Sequence, residues 1–419
     1  MLRLRKNITL TIGIIGCSFI ISSFLISWPS LYATYADSDF VSDTPRISYT
    51  SIERTVPSEP ITRNYEIQFH IMKLHNRLNY KRLSAMRITK LIYRVFEDQE
   101  KDGGLYFNNT QFHTLQPALE QLIAEFDFKH LNLCAWMIGR NFKWITDISL
   151  FDSQIENDTR QEIPKLDIFN PDAIRKIITI YKELASCKID AILIQDDFIL
   201  RYNEGFSSWG KTYFSAAAKV PAVEKLMMTN GTPYNEVWKR VKIDQLKKVL
   251  KSIVENCKMV NSAIKIGINI YYETPVFPEK AGAWYAHNLK EILETGVDFI
   301  YLMSYQRQIK DEMNWNEEKN RAFFKEIIEK AYDLCKEKLV VKLQIRDWKT
   351  AERIPLDEVR AYLELIPPQV EHVCFTPVKV EDYDYLEELI GIAVKVQAGH
   401  PFGAKDREEK KEIKDGFIM

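Results

Sequence analysis

"IDAILIQDD", Ile189 to Asp197, is an apolar run that stops on two adjacent carboxylates. Its apolar part has the length and composition of a buried strand. A core strand that ends in a pair of like charges either anchors a loop or delivers acids to a site. The architecture around it decides which.

Six further runs of the same kind surround it: Lys90–Phe96, Leu131–Ile138, Ile264–Tyr271, Phe299–Tyr305, Leu339–Ile345 and His372–Val378. Amphipathic stretches separate them, among them "LQPALEQLIAEF", "PDAIRKIITIYKELASC", "DQLKKVLKSIVENC", "AWYAHNLKEILETG", "NRAFFKEIIEKAYDLC" and "LDEVRAYLELI". The fourth is expected to end at Gly296 as a helix C′ glycine. Strands alternating with helices imply parallel pairing through helical crossovers. The fold expected is α/β, a TIM-like (β/α) barrel of seven or eight strands over residues 85–398. A doubly wound sheet is disfavoured, because "EDQEKDGGLYF" after the first run is no glycine-rich phosphate turn.

Barrel sites form at the C-terminal ends of the strands. Asp196 and Asp197 fall at such an end, and strand alternation points neighbours to opposite sides. Other run ends carry Trp136, then Asn269, Tyr271 and Glu273, then Tyr305, then Arg346, Asp347 and Trp348. Acids and aromatic rings at a barrel mouth are the materials of a sugar-binding site. Ring faces stack on pyranose C–H surfaces, and a carboxyl kept protonated serves as general acid.

The chain has 419 residues, 46% hydrophobic and 27% charged, with a formal net charge of -1 that gives no overall attraction to nucleic acid. "MLRLRK" precedes 20 uncharged, mostly apolar residues from Ile8. At about 1.5 Å per residue such a run crosses a bilayer core of about 30 Å. Residues 1–28 are expected to be a membrane anchor with a cytoplasmic N-terminus, with a signal peptide cleaved near Ala36 as the alternative. Residues 29–84 read as linker and N-terminal extension, and 399–419 as a charged tail. Six cysteines show no metal spacing and read as small buried apolar residues.

"IDAILIQDD", "NIYYETPVFPEKAGAWYAHNL" and "LQIRDWKTAERIP" resemble, in order and spacing, the C-terminal domain of PgaB/HmsF-type proteins, with "CAWMI" and "PDAIRKIITIYKELA" in support. The resemblance covers roughly residues 85 to 390. It implies a glycoside hydrolase barrel acting on partially de-N-acetylated poly-β-1,6-N-acetyl-D-glucosamine, a biofilm exopolysaccharide, in association with synthesis or export machinery. It carries the key acid onto Asp196–Asp197 and the stacking tryptophans onto Trp284 and Trp348, in an acidic cleft for cationic glucosamine. Gln195 stands where the family often has His. "YNEG" (202–205) replaces an acidic segment, so that Tyr202 aligns with an aspartate that helps bind glucosamine. The family's N-terminal deacetylase domain has no counterpart in the residues before the barrel, and His70 and His75 read as ordinary histidines.

The expected catalytic set is Asp196 as acid, Asp197 as its tuning partner and Glu204 as second carboxylate or substrate ligand. Trp136, Tyr271, Trp284, Tyr305, Asp347 and Trp348 are the expected sugar contacts. No metal or cofactor is required. Two other readings stand beside this one: a non-catalytic glycan-binding module aiding export or retention, and a hydrolase of another surface polysaccharide.

Overall fold

A computed structural model of the chain describes residues 63–70, 79–125 and 131–397. The expected anchor and charged tail lie outside these residues. All of the described residues fall within one unit, Glu59–Met419. Among the described residues no helix is long and apolar enough to cross a membrane.

Eight parallel strands close into a barrel: β1 (Asn64–Phe69), β2 (Ile88–Arg94), β3 (Asn132–Met137), β4 (Ala191–Ile194), β5 (Lys265–Tyr271), β6 (Phe299–Met303), β7 (Leu339–Gln344) and β8 (His372–Val378). Each pairs with its neighbours in chain order, and β1 pairs with both β2 and β8, from Asn64↔His372 onward. The seven strands read from sequence are all present. The eighth, β1, corrects the expected boundary at residue 84: part of the supposed extension closes the barrel.

The reason β1 is hard to read is chemical. Its residues are nearly all buried, yet they include Glu66 and Gln68. Inside the barrel Glu66 accepts from Lys90 Nζ at 2.7 Å and from the Tyr301 hydroxyl at 2.7 Å, with His372 Nδ1 at 3.3 Å. Burial raises the Glu66 carboxyl, but Lys90 and His372 outweigh it and bring it down to about 2. The buried charge is therefore paired, as burial of a carboxylate requires.

The outer helices bury periodic faces. Pro171–Ser186 starts on Asn170, whose side chain accepts from Asp172 N at 2.9 Å, with Pro171 at the first helical position. It buries Ala173, Ile177, Ile180, Tyr181 and Leu184, each large apolar side chain being worth about 1.5–3 kcal/mol. Tyr181 also donates to Ile138 O at 2.9 Å, fixing the helix to the segment after β3. The stretch expected as one helix before Gly296 is two, Pro278–Tyr285 and Leu289–Leu293. Ala286 breaks it in a left-handed conformation (φ 56°) and Asn288 caps the second piece. Gly296 itself has φ +87°, which only glycine adopts without strain.

A two-stranded hairpin, Phe151–Glu156 with Thr159–Leu166, interrupts the path from β3 to its helix and was not read from sequence. Asn157 and Asp158 turn it, both at positive φ, as a two-residue primed turn demands.

Candidate active site

Asp196 stands two residues past the end of β4 and keeps partial access to the surface. Its Oδ2 accepts from the Tyr271 hydroxyl at 3.2 Å, and Tyr271 is the last residue of β5. Among the described residues Asp196 makes no ion pair within 4 Å. Burial raises its carboxyl above the ordinary range, against the pull of Lys342, Tyr271 and Arg201. A carboxyl of this kind holds its proton at higher pH than an exposed aspartate does.

Asp197 points elsewhere. Its Oδ1 accepts from Gly139 N at 2.7 Å, and its Oδ2 from Arg140 N at 2.8 Å and Asn141 N at 2.6 Å. A Cβ at Gly139 would lie 2.7 Å from Asp197 Oδ1, so the loop comes this close only as glycine. Burial pushes the Asp197 carboxyl up to about 6, against the three amides that pull it down. The twin acids thus answer the opening alternatives separately: Asp196 faces the mouth, and Asp197 anchors the loop after β3.

Glu204 is a correction. It is 1% exposed, and its carboxylate meets Lys165 Nζ, Arg140 Nη1 at 3.2 Å and Arg201 Nε at 3.9 Å. Burial would raise it, but Lys165 and Arg140 prevail and bring it down to about 2. Arg140 also bonds Asp152 Oδ2 at 2.6 Å and the Ile199 carbonyl. This buried knot ties the hairpin, the β3 loop and the β4 loop together behind Asp196. Glu204 is spent on that structure and is not available as an opposing carboxylate. Asp347 is likewise committed: Oδ2 takes Arg307 Nη1 at 3.0 Å, and Oδ1 takes the amides of Lys349 and Thr350 at 2.7 and 3.1 Å. It shapes the loop that presents Trp348.

The expected aromatic residues fall into two groups of ring contacts. Tyr271 stacks on Tyr285 with centroids 4.5 Å apart, and Trp284 meets Tyr285 edge-on at 6.2 Å. Tyr305 meets Trp348 at 5.5 Å. His70, the residue after β1, lies 4.8 Å from Trp136 and 5.4 Å from Trp348. Its Nε2 is 3.1 Å from Thr376 Oγ1, and burial, with Lys342 and Arg94 beside it, holds its ring neutral. His70, read from the sequence as an ordinary histidine, thus stands between two of the expected sugar contacts. Its only sequence signal was the position after an unrecognised strand.

Lys342, which was not singled out from sequence, and the strand-end residues Asn269 and Glu273 lie nearby. Lys342 Nζ donates to Asn269 Oδ1 at 2.9 Å, and Asn269 Nδ2 donates to Ile194 O at 3.1 Å, at the end of β4. Burial lowers the Lys342 ammonium to about 8. Glu273 is buried under the Tyr285 hydroxyl at 3.3 Å, and burial, with Glu312 nearby, raises it to about 8. A hollow between helices Pro171–Ser186 and Pro233–Val260 contains none of these strand-end groups. The chemistry gathers at the barrel mouth.

An eight-stranded parallel barrel with an acid and a band of rings at its strand ends is the architecture of sugar-processing barrels. The chain belongs to the family described as hypothetical glycosyl hydrolase family 13, which it matches over residues 75–375. Its fold is similar to the PgaB (BpsB) glycoside hydrolase domain from Bordetella bronchiseptica, at 18% identity and TM-score 0.65 over 79% of this chain and 99% of that one. It is also similar to a β-galactosidase from Marinomonas ef1 (12% identity, TM-score 0.54, 80% of this chain and 59% of that one). A β-galactosidase from G. stearothermophilus gives 10% identity and TM-score 0.55, over 80% of this chain and 57% of that one. At these identities the likeness is one of fold. No curated protein matches the chain.

Proposed function

We propose that the protein is a glycoside hydrolase with Asp196 as its general acid, acting within chains of partially de-N-acetylated β-1,6-linked glucosamine polymer. One observation carries this: Asp196 is the sole member of the expected catalytic set that is not consumed by structural bonds. It stands just past a strand end, its carboxyl is raised by burial above the ordinary aspartate range, and it is oriented by Tyr271. The Trp284–Tyr285–Tyr271 and Tyr305–Trp348 rings give stacking surfaces on either side.

In this scheme the Asp196 proton passes to the glycosidic oxygen as the bond from that oxygen to C1 breaks. Asp197 and Glu204 are occupied, so the nucleophile is the substrate's own acetamido oxygen, which bonds to C1. Such substrate assistance is known among glycosidases. Water then adds to C1, returns its proton to Asp196 and regenerates the acetamido group, with configuration retained. Tyr271 holds the carboxyl in line throughout. We place the barrel outside the cytoplasm, tethered by residues 1–28 and working beside the machinery that makes or exports the polymer.

The experiment is mass spectrometry of defined β-1,6-linked oligomers after incubation with the protein and with Asp196→Asn. New reducing ends from the wild-type chain, falling by about 10²–10⁴-fold in the variant, support the assignment. Binding without new ends in either would make the barrel a glycan-binding module. Undiminished cleavage by Asp196→Asn would remove Asp196 from the role.

A further inference from the structure

Tyr202 and Trp209 are 53% and 43% exposed, whereas the rings at the barrel mouth are buried or half-buried. A lone exposed ring is ordinary. These two stand on a segment that is tied down along its length. From helix Pro233–Val260, the Lys242 ammonium donates to Arg201 O at 2.9 Å and to Tyr202 O at 3.4 Å. Residues 203–206 then lie along the outer edge of the hairpin. Ile155 N donates to Asn203 O at 2.8 Å and Phe206 N to Ser153 O at 2.9 Å, with Gln154 opposite Glu204. Glu204 is itself fixed by Lys165 and Arg140. The helix Ser208–Ala218 starts on Ser207, whose hydroxyl accepts from Gly210 N at 3.0 Å. Its first turn presses so closely on the preceding loop that a Cβ at Gly210 would collide with Gly205 O. Both rings are therefore carried on ordered backbone, and a ligand that binds them does not have to order a loop first.

The segment is continuous with the mouth. Leu200 N, just before Arg201 and Tyr202, donates to Tyr285 O at 3.1 Å. Tyr285 is the ring that stacks on Tyr271, the hydrogen-bond partner of Asp196. Ile199 packs with Ala281 and Tyr285, and Tyr271 and Trp284 lie against that cluster. A band of rings thus runs from Tyr271 through Tyr285 and Trp284 and, past Leu200, on to Tyr202 and Trp209. The chain from Asp196 to Tyr202 is short enough to bound their separation at about 20 Å, so an oligosaccharide of a few units can reach both. Charged groups beside the rings are already paired: Lys165 and Arg140 with Glu204, and Lys211 with Glu224 at 3.2 Å. Attraction there comes from ring area and not from charge, which suits the C–H face of a pyranose.

We propose that Tyr202 and Trp209 form an outlying sugar-binding platform, on which units of a long polysaccharide chain stack several positions away from the bond at Asp196. This rests on the reading of the mouth as a glycan site, and it adds the side by which the chain leaves the barrel, across the loop after β4. Because the platform is uncharged, its grip depends on chain length and not on N-acetylation.

The test uses the full chain and two partially N-acetylated β-1,6-linked glucosamine oligomers, a trimer and a dodecamer. Calorimetric titration of Asp196→Asn measures binding without turnover. The dodecamer is expected to bind about tenfold more tightly than the trimer, equivalent to about 1.4 kcal/mol. Adding Tyr202→Ala or Trp209→Ala is expected to lower that long-to-short ratio by about three- to tenfold. Tyr202→Phe and Trp209→Phe keep a ring and should preserve it, and high salt should leave it in place. Equal affinity for the two lengths, no binding of either, a ratio indifferent to both alanine substitutions, or a ratio that collapses in high salt overturns the platform. Turnover by the wild-type chain separates the two claims. A ring-dependent ratio without cleavage ends the hydrolase reading and leaves the platform. Cleavage with a ratio indifferent to the rings does the reverse.

Discussion

The Tyr271 hydroxyl reaches Asp196 Oδ2 across 3.2 Å, joining the end of β5 to the first acid after β4. A donor on a carboxyl favours its ionised form, while burial favours the protonated one, and burial wins at Asp196. The pair therefore sets where the acid loses its proton.

Tyr271→Phe removes the donor and leaves the ring on Tyr285. Asp196 should then hold its proton to higher pH, and the alkaline limb of kcat should move upward by a measurable fraction of a pH unit. A limb that stays in place in a kcat–pH profile would show that Asp196 is not the titrating acid.

Asp197→Ala should act on stability. It strands the amides of Gly139, Arg140 and Asn141, which all donate to this one carboxylate. With each unpaired buried donor costing about 1–3 kcal/mol and some relief by water, a loss of about 3 kcal/mol is expected. Urea denaturation measures it. An unchanged midpoint would mean that the loop holds itself.

Glu204→Gln breaks the buried contacts to Lys165 and Arg140. Removing one partner from a buried pair costs on the order of 3 kcal/mol at neutral pH. The sign with pH follows from its depressed folded-state pKa of about 2, against an ordinary 4.5. The stabilisation is complete above about 4.5 and is lost as pH falls toward 2, so the two stability curves should converge over that window. Parallel curves in chemical denaturation at stepped pH would contradict the pairing.

Trp284→Ala removes a half-buried ring beside Tyr285. Its loss should raise KM for oligosaccharide about three- to tenfold, the worth of about 0.5–1.5 kcal/mol of stacking, with little change in thermal unfolding. A fall in kcat at constant KM would place Trp284 closer to the reacting bond than a platform.

The barrel was legible because seven of its strands are apolar runs of ordinary length, and Asp196 because it ends one of them. β1 was not, because Glu66 and Gln68 face a polar lumen whose partners Lys90, Tyr301 and His372 are distant in sequence. Missing β1 hid His70 as well. The tasks of the acids were equally opaque. Asp197, Glu204 and Asp347 have the residue type a site needs, but only the fold reveals the amides and guanidinium groups that claim them. The rings were easier: Tyr271, Tyr305 and Trp348 sit at or just beyond strand ends, where parity and position speak for them.

The pairing of Asn64 with His372 has a consequence for synthesis. One flank of β1 finds β2 soon after both emerge, but the other must wait for β8, made last. Until then the nascent sheet carries two open edges, the places where strands of separate chains join. A ribosome stalled before Val378 would release such a sheet, with the mouth around Asp196 still incomplete on the side of His70 and Thr376.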